Sequence, residues 1–187
     1  MICVFMTGMI LQGAVGIASA HMKDQGVSPE SIANALSIGL IMLMASQMST
    51  GACFDRFGLR VTMIVCFACG ILAVSLLPFV NVGATAILYK TLESFGLPLE
   101  TIMLPLIAKD CFGQKSYAQL MGLLVSFNTM SYAVGSPLMN TIYDLTGSYS
   151  AGVVLMLICL VFAATAMQFV ITAAHRERER VEAAAEI

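Results

Sequence analysis

Three charged side chains, Lys90, Glu93 and Glu100, stand in a stretch of the sequence that is otherwise mostly apolar. Their spacing of three and seven residues puts all three near one face of a helix. A carboxyl group shielded from water favours its protonated form, so Glu93 or Glu100 could carry a proton, while the ammonium group of Lys90 could attract an anion. The alternative is a buried Lys90–Glu93 pair that only orients the helix.

A charge at the centre of a membrane-spanning helix costs about 2.5–3.5 kcal/mol. We therefore expect these charges to face protein or a water-filled path rather than lipid. Gly96, Pro98 and Pro105 predict kinks in the same helix, because proline removes a backbone donor. Further polar residues interrupt other apolar runs and either line the path or hydrogen-bond a neighbouring helix: Gln12, Gln47, Asn128 and Tyr132.

The composition is that of a membrane protein. Apolar residues make up 59% of the 187 residues and charged residues 11%, whereas a soluble domain has about 25% charged residues. The six cysteines are scattered through apolar runs and indicate packing rather than disulfides. The sequence has no HExxH or Gly-x-Ser-x-Gly motif, so we predict no enzyme, no metal site and no cofactor. It also lacks a basic domain that would bind nucleic acid.

Six apolar runs are long enough to cross a bilayer, which takes about 20 residues each. They cover roughly 2–20, 32–50, 61–80, 83–108, 117–140 and 150–173, and a charged tail follows at 174–187. Without water in the bilayer core, each run must be helical, because a helix satisfies its own backbone. The predicted fold is an all-α, polytopic six-helix bundle.

Lysine and arginine predict how the bundle is oriented. With a cytoplasmic N-terminus, the cytoplasmic segments would hold seven of them, against Lys23 alone on the outer side: Arg56, Arg60, Lys109, Lys115, Arg176, Arg178 and Arg180. This bias predicts that both termini are cytoplasmic, and we expect the protein in the plasma or inner membrane.

The segment between the second and third runs, residues 51–60, reads GACFDRFGLR. We expect Gly51 to end one helix and Gly58 to break the connection. The pattern Gly-x3-Asp-Arg-x-Gly-x-Arg resembles the signature loop of the major facilitator superfamily of membrane transporters. That resemblance implies that Gly51, Asp55, Arg56, Gly58 and Arg60 form a gating latch. Anchoring to the cytoplasmic surface alone would explain the arginines but neither the aspartate nor the glycines.

An internal repeat supports the same interpretation. Asp55-x-x-Gly58 follows the second run and Asp144-x-x-Gly147 follows the fifth, on opposite predicted sides of the membrane. This pattern is typical of an inverted three-plus-three repeat. Alternatively, Asp and Gly recur there only because they are common turn residues.

Phe112-Gly113, Tyr143-Asp144, Thr146-Gly147 and Tyr149 resemble the second half of the oxalate/formate-antiporter and monocarboxylate-transporter branch of this superfamily. Ser136-Pro137 stands where Gly-Pro is usual in that branch. The resemblance implies one half of a twelve-span secondary active transporter, an antiporter for a small organic anion such as a carboxylate.

A chain of 187 residues is about half the length that the resemblance implies. We expect either a truncated transporter or a half that pairs with a separate N-terminal half or with a second copy of itself. The competing hypothesis is a self-contained six-span protein that acts as a homodimeric permease or in a channel-like way.

Overall fold

The computed structural model describes residues 2–112, 117–147 and 149–185, so Gly113 and Lys115 lie outside the described residues. Throughout these ranges the regular structure is helical, and no strand occurs in them, so the predicted all-α class is confirmed. The helices, in chain order, are α1 (Ile2–Asp24), α2 (Pro29–Leu76), α3 (Gly83–Gly96), α4 (Pro98–Thr101), α5 (Met103–Phe112), α6 (Tyr117–Thr146) and α7 (Ser150–Ala185). A 3₁₀ turn, Leu77–Phe79, follows α2.

Four helical stretches in the described ranges are long and apolar enough to cross a membrane: Ile2–Asp24, Pro29–Phe79, Gly83–Lys109 and Ala151–Ala173. The second has 51 residues, which corresponds to about 76 Å of helix and exceeds twice the roughly 30 Å hydrocarbon core. It contains two of the apolar runs seen in the sequence. The division of the chain into six crossings stays a prediction.

The α2 helix begins and bends where local chemistry requires. The Ser28 hydroxyl accepts a hydrogen bond from the Ser31 amide at 3.3 Å, and Pro29 takes the first helical position. Gly58 interrupts the helix with φ 77° and ψ 175°, a region that is essentially restricted to glycine. The expectation that Gly51 ends a helix is wrong, because a glycine inside a helix costs only about 1 kcal/mol, too little to stop it.

Small residues allow the helices to approach closely. A Cβ atom added to Gly96 of α3 would lie 3.0 Å from the Cα atom of Gly70 in α2. Likewise, a Cβ atom on Gly135 of α6 would lie 3.0 Å from the amide nitrogen of Gly13 in α1. Close backbone contact of this kind replaces the hydrophobic effect as the source of helix association in lipid.

The stretch from Gly83 to Phe112 is divided into α3, α4 and α5 by breaks at Leu97 and Ile102. The break at Leu97 lies between Gly96 and Pro98, which predict it, and the break at Ile102 lies three residues before Pro105, since a proline removes a backbone donor from the turn before it. This divided stretch carries the buried charges.

Candidate functional site

Lys90 and Glu93 form an ion pair at the α2–α3 interface. The Lys90 Nζ atom lies 2.5 Å from Glu93 Oε2, and the Tyr89 hydroxyl donates to Glu93 Oε1, also at 2.5 Å. Both charged residues are buried, with 5% and 4% of their surface exposed. Gly39 makes room for the lysine, because a Cβ atom there would lie 3.3 Å from Lys90 Cβ. The pair is therefore balanced in charge, and each partner depends on the other to remain buried.

A second interhelical contact compensates for a proline. Pro98 has no N–H group to donate to the Ser94 carbonyl, and the Ser46 hydroxyl of α2 donates to that oxygen instead, at 2.7 Å. The Ser94 hydroxyl lies 2.8 Å from the Gly39 carbonyl oxygen of α2 and 2.7 Å from the Lys90 carbonyl oxygen of its own helix, and shares its hydrogen between the two. Backbone groups freed by proline within a membrane are commonly satisfied by serine in this way. Ser46 was not singled out from the sequence, although Pro98 already indicates that the Ser94 carbonyl needs another donor.

Glu100, in α4, is 5% exposed and lies among α1 and α6. Its Oε2 atom accepts a hydrogen bond from Gln12 Nε2 at 2.9 Å, and the Tyr132 hydroxyl interacts with the same carboxyl group. Asn128 Nδ2 in turn donates to the Tyr132 hydroxyl at 2.7 Å. Three of the four polar residues expected along the path thus gather around one carboxyl group.

Two oxygen atoms in this group lack a donor. Within the described part of the chain, neither Glu100 Oε1 nor Asn128 Oδ1 has a hydrogen-bond partner. Both side chains line a cavity of about 10 Å³, together with Thr7 and Met63. A cavity of that size is at the lower limit for one water molecule. A proton on the carboxyl group would supply the missing donor, so the arrangement is suited to holding one.

The remaining candidates lie apart from Glu100. The Lys90–Glu93 pair contacts α2, whereas the partners of Glu100 come from α1 and α6. Gln47 is half-buried and makes no hydrogen bond to any residue that the structure describes. No group of three metal-ligating side chains occurs among the described residues.

The residues of the predicted latch are mostly at the surface. Asp55, Arg56 and Arg60 are exposed, and within the described ranges Asp55 forms no ion pair with either arginine. The Arg56 guanidinium stands 5.5 Å from the centre of the Phe57 ring. The Arg60 carbonyl accepts a hydrogen bond from Gln168 Nε2 of α7 at 3.3 Å, which ties the latch to the last helix.

The two Asp-x-x-Gly segments share a backbone feature. Gly58 has φ 77° and Gly147 has φ 68°, so each segment ends in a left-handed glycine three residues after its aspartate. Asp55 and Asp144 are both exposed. The second segment closes α6, where the Gly147 amide donates to the Tyr143 carbonyl at 2.7 Å.

An aromatic group lies beside Gly147. The Tyr143 and Tyr149 rings stack with centroids 4.3 Å apart, and His21 meets Tyr149 edge-on at 5.3 Å. The His21 Nε2 atom lies 3.0 Å from the Leu77 carbonyl oxygen. Burial, and to a lesser degree the charge of Asp24, raises the pKa of the Tyr149 phenol. The group joins one end of α1 to the connection between α6 and α7.

Long apolar helices, small-residue contacts between them and buried, mutually satisfied polar groups define an integral membrane protein of the helical-bundle class. The Major Facilitator Superfamily matches residues 1–186, so the chain belongs to that family of membrane transporters. Its members move small solutes across membranes and are generally not enzymes. Among curated proteins, none matches the chain.

Proposed function

We propose that this chain is the second half of a secondary active transporter that works by alternating access. Its six spans would rock against an N-terminal half or against a second copy of the chain. Both termini would lie in the cytoplasm, at the plasma or inner membrane. The family and the buried polar groups support this proposal, since ionisable residues within membrane helices commonly mark a transport path.

The coupling ion in this proposal is a proton carried by Glu100. The observation that carries it is the buried carboxyl group with one oxygen bonded to Gln12 and the other unpartnered, next to a small cavity that Asn128 also lines. Protonation gives the carboxyl group a hydrogen to donate, and loss of the proton leaves a buried charge. The two states therefore favour different packing of α1, α4 and α6, which is what alternating access requires.

For the substrate we propose a small organic anion such as a carboxylate, moved in exchange for another solute. The resemblance to the oxalate/formate and monocarboxylate branch supports this class. Among the lysines and arginines that the structure describes, Lys90 is the buried one, and Glu93 balances its charge. Recognition of an anion by Lys90 therefore requires the substrate to compete with Glu93 for the ammonium group.

We assign gating to the latch, which contains Gly51, Asp55, Arg56, Gly58 and Arg60 and lies within α2 around the bend at Gly58. The bend at Gly58 and the Gln168 contact to Arg60 support this role, because together they couple the movement of α2 to that of α7. The repeat-related segment with Asp144 and Gly147 would perform the same task on the other side.

Uptake of radiolabelled small carboxylates by cells expressing the chain, alone and with a candidate N-terminal half, tests the proposal. We expect uptake only in the presence of the partner half. Uptake by the chain alone would instead identify a self-contained homodimeric permease or channel-like protein. No uptake of any carboxylate in either arrangement would overturn the proposed substrate class.

Glu100→Gln separates coupling from transport. The amide keeps the size of the side chain but cannot release a proton at any relevant pH. We expect the variant to lose accumulation driven by a pH gradient while it retains exchange at equal pH. Glu30→Gln, which changes an exposed carboxyl group at the start of α2, is the matched control. Unchanged pH-driven accumulation in Glu100→Gln would contradict the assignment.

A further inference from the structure

A long groove runs between the second half of α2 and α7, with a volume of about 800 Å³. On α2 its lining extends from Arg60 through Ile64 to Ile71, and on α7 from Ala164 through Phe169 to Arg176. This volume lies within the range of about 300–1,000 Å³ for small-molecule sites. We call it the α2–α7 groove. Glu100 and the polar residues around it do not line this groove.

The walls of the α2–α7 groove are mostly apolar, although Gln168 also lines the groove and its Oε1 atom is buried without a hydrogen-bond partner among the described residues. Ile64 is 50% exposed and Phe169 is 78% exposed, which is much for such large side chains. The hydroxyls of Thr165 and Thr172 line the groove but donate to carbonyls of their own helix, Val161 at 3.0 Å and Gln168 at 2.8 Å. They therefore present methyl groups without an unmet need for a hydrogen bond.

The two ends of the α2–α7 groove differ in charge. The two helices run in opposite directions, so Arg60 and Arg176 lie toward one end of the groove and Ile71 lies toward the other. Both arginines are exposed, and neither forms an ion pair with any side chain that the structure describes. The groove therefore has an apolar body and a cationic end.

Each wall of the α2–α7 groove is about as long as one leaflet of a bilayer. From Arg60 to Ile71 the rise of the helix is roughly 16 Å, and from Ala164 to Arg176 roughly 18 Å. Half of the hydrocarbon core measures about 15 Å. The cationic end would thus stand at head-group level, and the distribution of Lys and Arg predicts that this is the cytoplasmic side, where anionic lipids are found.

We propose that the α2–α7 groove is a binding site for an anionic phospholipid. One acyl chain lies along Ile64 and Phe169, and the phosphate and head group contact Arg60 and Arg176. Charge complementarity at one end, mostly apolar walls and walls about as long as one leaflet each point to this occupant. Because the Arg60 carbonyl is bound to Gln168, a lipid seated here would also hold the end of the latch against α7.

Because the sequence contains no tryptophan, an introduced tryptophan is the only one in the chain, and its fluorescence reports on one position. Phe169→Trp places a single fluorophore in the groove, and Phe162→Trp places one at an exposed position of α7 outside it. The purified chain is reconstituted in phosphatidylcholine, and quenching is measured on adding phosphatidylglycerol or phosphatidylcholine with brominated acyl chains. Because two arginines lie near the head groups, we expect phosphatidylglycerol to associate roughly thirtyfold more strongly than phosphatidylcholine, as measured by quenching of the Phe169→Trp variant. The Phe162→Trp control should show no preference.

Arg60→Gln with Arg176→Gln, in the Phe169→Trp background, should abolish the preference, whereas Arg56→Gln should retain it because Arg56 does not line the groove. If the double variant does not fold, salt replaces it: about 1 M salt shortens the Debye length to about 3 Å and should remove the preference in the parent. Equal quenching by both lipids would show ordinary annular contact. Quenching by neither would show that protein covers the groove. Either result would overturn the proposal.

Discussion

Gly135 of α6 rests against the backbone of Gly13 in α1, so closely that a Cβ atom on Gly135 would stand 3.0 Å from the Gly13 nitrogen. It would come closer still to the Met9 carbonyl oxygen. Both obstacles are backbone atoms, which cannot rotate away as a side chain can. This contact sets the separation of the two helices that bring Gln12 and Tyr132 to Glu100.

Gly135→Ala is therefore expected to destabilise the protein by about 1–3 kcal/mol, the usual cost of overpacking a close contact. It should also weaken pH-driven transport, because α6 must move away from Glu100. Thermal unfolding in detergent measures the first effect. Gly122→Ala in the same helix is the control: no atom lies within 4 Å of its added Cβ atom, so it should be neutral or slightly stabilising. Equal loss in both variants would contradict the close-contact explanation.

Removing one member of the Lys90–Glu93 pair leaves the other charge buried. We expect Lys90→Met or Glu93→Gln alone to destabilise the protein by about 3–5 kcal/mol. The double variant should be less destabilised than the sum of the two, because no uncompensated charge remains. A double-mutant cycle on unfolding free energies measures this coupling. Additive effects would mean that the two side chains do not interact in the membrane.

Gly58 and Gly51 both belong to the latch but have different backbone conformations. Gly58 has φ 77° and ψ 175°, whereas Gly51 lies inside α2. Gly58→Ala should cost about 1–3 kcal/mol or shift the transport equilibrium, because alanine disfavours that conformation. Gly51→Ala should be tolerated, since no atom lies within 4 Å of its added Cβ atom. Unfolding and uptake assays on the two variants check this contrast, and the reverse order would refute it.

The Tyr149 phenol predicts an alkaline limit to stability. Its pKa is raised, mainly by burial and then by the Asp24 charge, with Tyr143 and Asp144 adding to the effect. A raised pKa means that the folded state prefers the neutral phenol, so this stabilisation is present below the unfolded value of about 10 and is lost as the pH rises through the folded value.

Replacing the phenol should remove its share of that alkaline loss. Thermal unfolding from roughly pH 9 to pH 12 should show a shallower decline for Tyr149→Phe than for the parent. Tyr117→Phe, which changes a tyrosine at the start of α6, serves as the control. An identical decline in the parent and in Tyr149→Phe would contradict the prediction.

Much of the architecture is legible in the sequence, because apolar length alone requires helices in a membrane. The break at Gly58 and the interruptions around Pro98 also have local causes that a sequence displays. The sequence does not decide the conformation of Gly51, since a glycine can either end a helix or lie inside one. The partners of Glu100 depend on how α1 packs against α6, and nothing in the spacing of one helix specifies that contact.

The hydrogen bond from Ser46 to the Ser94 carbonyl has a consequence for biogenesis. Synthesis proceeds from the N-terminus, so α2 leaves the ribosome before α3 and can already offer Ser46 and Gly39 when Lys90, Glu93 and the proline-interrupted backbone arrive. The segment from α3 to α5 is poorly suited to enter the bilayer by itself, because it carries buried charges and an unpaired carbonyl. Helix α2 supplies the Ser46 hydroxyl to that carbonyl. Residues 29–109 would then enter the lipid as one unit, because α2 provides the hydrogen-bond partner and the packing space that the segment beginning with α3 requires.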